Sequence, residues 1–431
     1  MAQTLKFGNK TWATKVGSTL AYNDENGNYK PLPFAFTRST SATRVNKEGL
    51  IEVVTNDRPR IDYTDTSDGV LLLEKAATNL ITYSSDFSNS NWSNSRIETP
   101  YIADTISPDG TLNAYTLEMS SGETNGGGVY KTGISISGGN SFSVFAKKKT
   151  ANYLVLSDTG TTSNAVYFDL ENGVVGTKYN ATGEIQDFGN GWYRCTMKYT
   201  LTSSGLKFIY LSNVDGATTG GVQSGDSIYV FGAMLEQNSV ASSYIPTQGS
   251  ATTRVAETAS GSGNSEVFND SEGVLFADIL PSTFTDVAPN YYKTITVSDN
   301  TTSNRVFVGV TSTSKLSVGL SIGGTNSFFP ETLLAKINVK VALKYTTNSI
   351  TVYLNGFKPQ TPISGSFNFA SGALKSLNLN DASGSYPFYG STKEIGYYNT
   401  ILTDLELETL TSYKSWTSMV NELNLNIIYN G

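Results

Sequence analysis

The chain has 431 residues, among them 40 Gly and 25 Tyr, and only 16% of its residues are charged. This composition is typical of an all-β protein with many short strands and polar turns, and a hydrophobic fraction of 38% excludes a disordered chain. A net charge of −7, with no basic cluster beyond residues 147–149, excludes nucleic-acid binding driven by phosphate contacts.

The absence of histidine narrows the chemistry further. Without it the chain can form no Ser-His-Asp triad, no Cys-His dyad and no imidazole metal site. Cys195 is the single cysteine, so no intrachain disulfide can form, and we expect it to be a small core residue. The N-terminus lacks the apolar core of a signal peptide, and no apolar run approaches the ~18 residues of a membrane span. We therefore expect a protein made in the cytoplasm, without membrane insertion.

In the first 82 residues, arginines and acids interrupt short β-type runs. Residues 36–63 read FTRSTSATRVNKEGLIEVVTNDRPRIDY, and neither a period of 2 nor a period of 3.6 persists along them. This pattern predicts a hydrogen-bond-rich connector block. In it Arg44 and Arg60 would bind Asp62, Glu52 or backbone carbonyls and hold loops of neighbouring domains together. The alternative is that these charges only solvate loops.

Residues 83–247 show short apolar strands separated by turn sequences such as Glu-Asn-Gly at 171–173 and Gly-Asn-Gly at 189–191. About eight strands at this spacing predict a sandwich of two antiparallel sheets, built as a jelly roll.

Residues 248–266 are interpreted as an interdomain clip and linker. The segments 37–45 and 247–255 both begin with Thr and end with Thr-Arg-Val, which places Arg254 where the first copy has Arg44. We expect a structural clip that is used twice, once ahead of each sandwich, followed by a flexible hinge at 257–266. Chance similarity in a chain rich in Thr and Ser is the alternative.

Residues 267–417 predict a second sandwich, and 418–431 form a C-terminal tail. The string VALKYTTNSITVYLNG at 341–356 has the pattern of two strands, and an Asn-Gly turn ends it. Thr403 lies three residues before Glu406, which is the spacing of a capping box at the start of a short helix.

Three groups of strings carry resemblances to known families. The first block, with TRSTSATRVN, PRIDY and LLEKAATNL in order, resembles a block shared by bacteriophage tail and virion structural proteins. The strings SSDFSNSNW, SFSVFAK, GWYRCTM and YVFGAMLE resemble the carbohydrate-binding-module-like jelly rolls of phage fibres. The strings ITVYLNG, KEIGYYN and LTDLE resemble the concanavalin A-like/laminin-G-like sandwich. They imply an all-β chain with an irregular N-terminal connector followed by two antiparallel β-sandwiches, a jelly roll and then a concanavalin A-like domain.

The resemblances imply a phage virion structural protein, a fibre or receptor-binding/decoration subunit that displays its sandwiches for attachment to a host-surface glycan or protein. They also imply other virion proteins as partners, a homotrimer, and location in the virion. A tail-associated polysaccharide-degrading enzyme and a ligand-free assembly spacer are the alternatives. Concanavalin A-like glucanases carry an E-x-D-x-x-E strand motif, whereas the acid-rich residues 405–408 of this chain fit a helix. We therefore expect no catalytic activity.

Glycan recognition uses exposed aromatic faces flanked by polar groups. The aromatic residues expected at loop tips are Tyr291, Tyr292, Phe328, Phe329 and Tyr386. The alternative for each is a buried position in a core or an interface. Calcium is compatible with the loop carboxylates of Asp226, Asp299 and Asp381, but the sequence favours a solvated turn for each of them, and no other cofactor is expected.

Overall fold

A computed structural model describes residues 3–99, 101–159, 163–201, 205–217, 221–281, 292–311, 315–332 and 338–422. Strands make up 49% of the structure and helices 4%, which confirms the all-β class. Up to residue 82 the strands are β1 (Leu5–Gly8), β2 (Thr14–Lys15), β3 (Ser18–Thr19), β4 (Tyr22–Asn23), β5 (Lys30–Pro31), β6 (Phe34–Thr37), β7 (Ala42–Val45), β8 (Ile51–Val54), β9 (Arg60–Asp62), β10 (Val70–Leu73) and β11 (Ala77–Asn79), with a 3-10 helix at Glu25–Gly27.

The middle of the chain continues with longer strands. They are β12 (Ser93–Ser95), β13 (Ala103–Ile106), β14 (Leu112–Glu118), β15 (Gly128–Lys131), β16 (Gly138–Lys148), β17 (Tyr153–Thr159), β18 (Ser163–Asp169), β19 (Val174–Tyr179), β20 (Thr182–Asp187), β21 (Trp192–Leu201), β22 (Lys207–Ser212) and β23 (Ser227–Glu236).

The remaining elements include two short helices near the C-terminus. They are β24 (Thr252–Arg254), β25 (Thr258–Ser260), β26 (Gly273–Pro281), β27 (Tyr292–Ser298), β28 (Arg305–Thr311), β29 (Lys315–Ile322), β30 (Thr325–Thr332), β31 (Val339–Tyr345), β32 (Ser349–Leu354), β33 (Ile363–Ser364), β34 (Ser376–Asn378), β35 (Gly390–Tyr398), α1 (Asp404–Thr411) and α2 (Trp416–Glu422).

Strands β12 to β23 form a sandwich of two six-stranded antiparallel sheets. One sheet has the order β12-β15-β22-β17-β18-β19, and the other has the order β13-β14-β23-β16-β21-β20. Phe142, Leu154 and Ile209 belong to the apolar core between them. The predicted Gly-Asn-Gly turn joins β20 to β21, and Gly189, Asn190 and Gly191 have positive φ angles of 76°, 53° and 78°. Glycine and asparagine adopt such angles at the lowest cost, which explains the sequence of this turn.

The second sandwich contains strands from both ends of the chain. Its smaller sheet has the order β30-β29-β28-β27-β34, and its larger sheet runs β33-β32-β31-β26-β35-β1-β4-β5, with β10 also on β35 and β9 on β10. Leu5 pairs with Tyr397, and Leu71 pairs with Thr392. Strands of the first block therefore extend the C-terminal sheet, and the domain boundaries given above stay a prediction.

Helix α1 closes the outer face of this larger sheet. The Thr403 hydroxyl accepts a hydrogen bond from the Glu406 amide, and the Glu406 carboxylate accepts one from the Thr403 amide, so the predicted capping box is confirmed. Leu407 is buried and packs with Phe276 and Tyr353 on the face of the sheet that points away from the sandwich core.

The segment expected to be a hinge is packed into the first block. Strand β25 pairs with β6, and β24 pairs with β11. The Glu257 side chain is fully buried, and the Ser262 hydroxyl donates a hydrogen bond of 2.7 Å to the Leu32 carbonyl. These contacts contradict a flexible hinge at 257–266, because paired strands and a buried carboxylate cannot move independently of their partners.

Five charged side chains, here named the arginine–glutamate cluster, lie where these segments meet; four are buried and Glu74 is part-buried. They are Arg38, Arg60, Glu74, Arg254 and Glu257. Arg38 and Arg60 both bind the Glu257 carboxylate, at 2.6 Å for Arg38 and through two guanidinium nitrogens for Arg60. Arg60 and Arg254 contact Glu74 at 2.8 and 2.9 Å. The cluster thus joins the first block to the segment that follows the jelly-roll sandwich.

Arg44 and Asp62 lie outside this cluster. The Arg44 Nε donates a hydrogen bond of 2.6 Å to Glu52, and its Nη1 donates one of 3.2 Å to the Ile61 carbonyl. The Asp62 carboxylate accepts the Val45 amide at 2.8 Å. Arg44 is part-exposed, whereas Arg254 is buried, so the two arginines matched by the sequence repeat have different surroundings.

We expect Arg60→Ala and Arg254→Ala to destabilise the protein much more than Arg44→Ala. Removing one partner of a buried ion pair leaves an uncompensated charge and costs about 3–5 kcal/mol, whereas a part-exposed pair such as Arg44–Glu52 contributes about 1 kcal/mol or less. Urea unfolding of the three variants measures the difference. Equal midpoints for Arg60→Ala and Arg44→Ala would contradict the structural role of the cluster.

The cluster also predicts a loss of stability in acid. Burial alone would raise the pKa of Glu74, but the guanidinium groups of Arg254 and Arg60 and hydrogen bonds from Ser243 lower this pKa from 4.5 to about 2. Because the folded-state pKa is depressed, the stabilisation is complete above pH 4.5 and is lost as the pH falls towards about 2. In thermal unfolding across this pH range, the melting temperature of Glu74→Gln should change less with pH than that of the wild type. Glu52→Gln, in the part-exposed Arg44–Glu52 pair, is the control and should keep the wild-type slope.

Candidate functional site

The aromatic residues predicted from sequence lie in different surroundings. Tyr291 lies outside the described residues, and for Tyr292 only the backbone is described, as the first residue of β27. Phe328 and Tyr386 have 46% and 39% of their surface exposed, so both remain candidate contacts. Phe329 is only 2% exposed and belongs to the core of the C-terminal sandwich. The structure removes Phe329 from the candidates, because a sugar cannot stack on a ring that the core already covers.

The three aspartates considered for calcium lie in separate loops. Asp226 accepts hydrogen bonds from Asn213 and Gln223, Asp299 accepts three within its own turn, and Asp381 accepts two from Ser383. Over the described residues, no three side chains of His, Cys, Asp and Glu come together in a way that could hold a metal ion. Calcium binding stays an untested expectation.

A different surface has the properties of a binding site. In the six-stranded sheet β12-β15-β22-β17-β18-β19, Val155 pairs with Tyr210 on one side and with Tyr167 on the other, so these three side chains share one face. Ile209 and Phe168 alternate with them and point into the sandwich core. The first face therefore points away from the core.

Aromatic residues dominate this outward face, here named the aromatic platform. Strand registers place its six members side by side on five adjacent strands: Tyr130, Phe208, Tyr210, Tyr153, Tyr167 and Tyr179. The ring centroids are 4.8 Å apart for Tyr130–Phe208, 6.4 Å for Phe208–Tyr210 and 6.3 Å for Tyr167–Tyr179. The rings form a continuous surface rather than isolated exposed residues.

The platform has a buried floor and accessible surroundings. Tyr167 is 2% exposed and forms the floor with Val155 and Ala165, as a small apolar cluster separate from the sandwich core. Tyr130, Tyr153, Phe208 and Tyr210 are half-buried, and Tyr179 is 45% exposed. Aromatic side chains that are neither buried in a core nor fully solvated are suited to stacking against a ligand.

A loop after β22 closes one end of the platform. The Tyr179 hydroxyl donates a hydrogen bond of 2.8 Å to the Gly216 carbonyl, and the Asp215 carboxylate accepts one of 2.8 Å from the Thr177 amide. Burial raises the pKa of Tyr153, and the negative charges of Asp169 and Asp215 raise this pKa further. Two carboxylates therefore lie close enough to the platform to act on it electrostatically.

The strand spacing predicts about eight strands over residues 83–247, whereas β12 to β23 are present there, and it does not mark their aromatic residues as a site. The signal is an alternation within β22, where Phe208 and Tyr210 interleave with Ile209 and Leu211. With aromatic residues on one face and aliphatic residues on the other, the strand has no polar face, which indicates that the face away from the core contacts something other than water. Aromatic residues expected at loop tips are a separate signal that does not reveal this pattern.

Cys195 lies in the jelly-roll core, as expected, whereas Trp192 belongs to a separate apolar cluster that includes Ile51 of β8 and Ala77 of β11. Trp192 is buried, and its indole nitrogen donates a hydrogen bond of 3.0 Å to the Ile106 carbonyl. Cys195 is fully buried, and burial raises its pKa well above the ordinary value, so its thiol is not a reactive thiolate. A cavity of about 580 Å³ lies beside Trp192, between the β7–β8 hairpin and the jelly-roll loops, with Tyr63, Lys147 and Glu48 in its lining.

No protein-family model matches the chain, nor does any curated protein. Among solved structures, the chain is similar to the CBM40 module of a Ruminococcus gnavus IT-sialidase, with 16% identity and a TM-score of 0.30 over 36% of this chain and 94% of that one. It is also similar to a SAP-like pentraxin from Limulus polyphemus, with 14% identity and a TM-score of 0.26 over 34% of this chain and 71% of that one.

A third similarity, to domains LG4-5 of the mouse laminin alpha1 chain, has 8% identity and a TM-score of 0.23 over 64% of this chain and 86% of that one. At these low scores the similarities carry no argument about function, and the β-sandwich fold rests on the strand pairing described above. None of the helices described is long and apolar enough to cross a membrane.

The burial pattern of the platform predicts unequal effects on stability. We expect Tyr167→Ala to lower the free energy of unfolding by about 3 kcal/mol, because it empties the buried floor. Tyr179→Ala removes a half-exposed ring and one hydrogen bond and should cost about 1 kcal/mol or less. Urea unfolding measures both. A similar, large cost for Tyr179→Ala would mean that its ring supports the fold and is not free to bind a ligand.

Proposed function

We propose that this chain is a non-enzymatic bacteriophage virion protein, a fibre or receptor-binding/decoration subunit, whose jelly-roll sandwich binds a host-surface glycan on the aromatic platform. The observation that carries the binding proposal is the set of six aromatic rings on the outward face of the sheet. The virion role, the homotrimer and the other virion proteins as partners rest on the family resemblance of the sequence strings.

The platform favours a glycan for physical reasons. A contiguous aromatic surface is rarely left exposed on a soluble protein without a binding role. Flat rings suit the C–H faces of sugars, which combine apolar patches with hydroxyl groups. Serine side chains on the same face, including Ser93, Ser95 and Ser157, add groups that can hydrogen bond to sugar hydroxyls.

The rest of the chain provides a rigid base for this face. The strands that carry the platform pack on the buried jelly-roll core, and the first block is held by the buried ion pairs of the arginine–glutamate cluster, so the positions of these strands are fixed. A preorganised site loses less entropy when it binds a flexible glycan. This supports a role in adhesion, in which many copies of a low-affinity site on one particle bind the host surface together.

Glycan binding is tested with Phe208→Ala on an array of bacterial surface glycans, followed by calorimetry on any ligand found. Loss of one stacking ring should weaken binding about tenfold, which corresponds to about 1.4 kcal/mol. Phe357→Ala is the matched control, because Phe357 is 73% exposed on the other sandwich and should leave affinity unchanged. Silence of the array, or equal binding by both variants, would overturn the platform as a glycan site.

The virion role has its own test. Immuno-electron microscopy should find the protein on intact particles, and light scattering should show a trimer in solution. A monodisperse monomer with no particle association would refute this part of the proposal. Release of reducing ends from capsular or cell-wall glycans would instead establish a degrading enzyme, and loss of particles on deletion together with a silent array would indicate an assembly spacer.

A further inference from the structure

We infer that the aromatic platform selects an extended, uncharged stretch of polysaccharide over an acidic one. This inference rests on the proposed function, and it names the class of glycan. It follows from two observations, the side of the sheet on which the charged residues lie and the number of strands that the platform crosses.

The lysines of the platform strands lie on the opposite face of the sheet. Lys131 pairs with Lys207, and Lys207 pairs with Asp158, in the register positions that alternate with the platform residues. Lys207 and Asp158 are fully buried and 2.9 Å apart. Lys178 pairs with Val166, a residue of the sandwich core, so its register position is also on the far face.

The aspartates that act electrostatically on the platform tyrosines are negatively charged. Asp169 and Asp215 raise the pKa of Tyr153, and Asp215 also contributes to the raised pKa of Tyr167. Strands β12, β15, β17, β18, β19 and β22 contain no arginine, and their three lysines are those on the far face. In sequence, the segments 160–162, 202–204 and 218–220 contain only Gly, Ser and Thr.

This charge distribution disfavours acidic sugars. A sialic acid, uronic acid or phosphorylated sugar needs a cation or a cluster of amide donors to compensate its charge when water is removed. On the platform it would meet aromatic rings, serines and two carboxylates. A neutral sugar has no such requirement, and its C–H face can stack directly on the rings.

The extent of the platform indicates a chain rather than a single terminal sugar. Its residues lie on β15, β22, β17, β18 and β19, which are adjacent in that order. Four strand spacings of about 4.8 Å each give a surface about 19 Å across. Tyr130 and Tyr179 lie at the two ends, so a ligand that contacts both must run across the strands.

The test uses the full chain and calorimetry with neutral hexose oligomers of increasing length and hexuronic acid oligomers of the same lengths. We expect the affinity for neutral oligomers to rise with their length until the platform is filled. Acidic oligomers should bind about tenfold more weakly than neutral oligomers of the same length at low salt. Tyr130→Ala and Tyr179→Ala should each weaken the binding of long neutral oligomers. The affinity for a short oligomer should fall in no more than one of the two variants.

A charge variant separates electrostatics from shape. Asp215→Asn keeps an oxygen that can accept the Thr177 amide, and it should strengthen acidic-oligomer binding several-fold while leaving neutral binding unchanged. Asp299→Asn, in the other sandwich, is the matched control. Tighter binding of acidic than of neutral oligomers, still abolished by Phe208→Ala, would overturn this inference and leave the proposed function standing. Binding of neither series, with Phe208→Ala indistinguishable from wild type, would overturn both.

Discussion

The buried carboxylate of Glu257 is the constraint on which the arrangement of the chain depends. It follows the jelly-roll sandwich in sequence, yet it accepts hydrogen bonds from Arg38, Arg60 and the Glu74 amide, all in the first block. Removing a carboxylate from water costs several kcal/mol unless charged partners surround it completely. The chain must therefore bring these separate segments together at once, and a partly formed cluster would be less stable than none.

That requirement explains why the order of the modules in sequence differs from their order in space. With Glu257 held in the first block, strand β25 pairs with β6, and the chain enters the second sandwich from the first block itself. Strands β1 and β10 can then pair with β35, close to the other end of the chain. Phe7 and Leu71 consequently belong to the same apolar core as Ile295 and Val308.

Local signals were readable from the sequence, whereas long-range partners were not. The capping box of Thr403 and Glu406 and the Gly-Asn-Gly turn depend on neighbouring residues, so their spacing predicted them. Glu257 lies in a Gly- and Ser-rich string that resembles a linker, and only its distant arginines make it a buried anchor. The platform was hidden for a related reason, since Ile209 and Tyr210 are both apolar and only the opposite sheet decides which one faces inward.

The inward face of this jelly-roll sheet buries one ion pair among its apolar residues. Lys207 and Asp158 are buried inside the sandwich, where Tyr199 donates a hydrogen bond of 2.7 Å to the Asp158 carboxylate. Exchanging them with aromatic residues of the outward face would bury more apolar surface and avoid desolvating an ion pair. Stability alone therefore does not account for this distribution. The proposed binding of neutral sugars accounts for it, because such a surface would need to be aromatic and free of lysine.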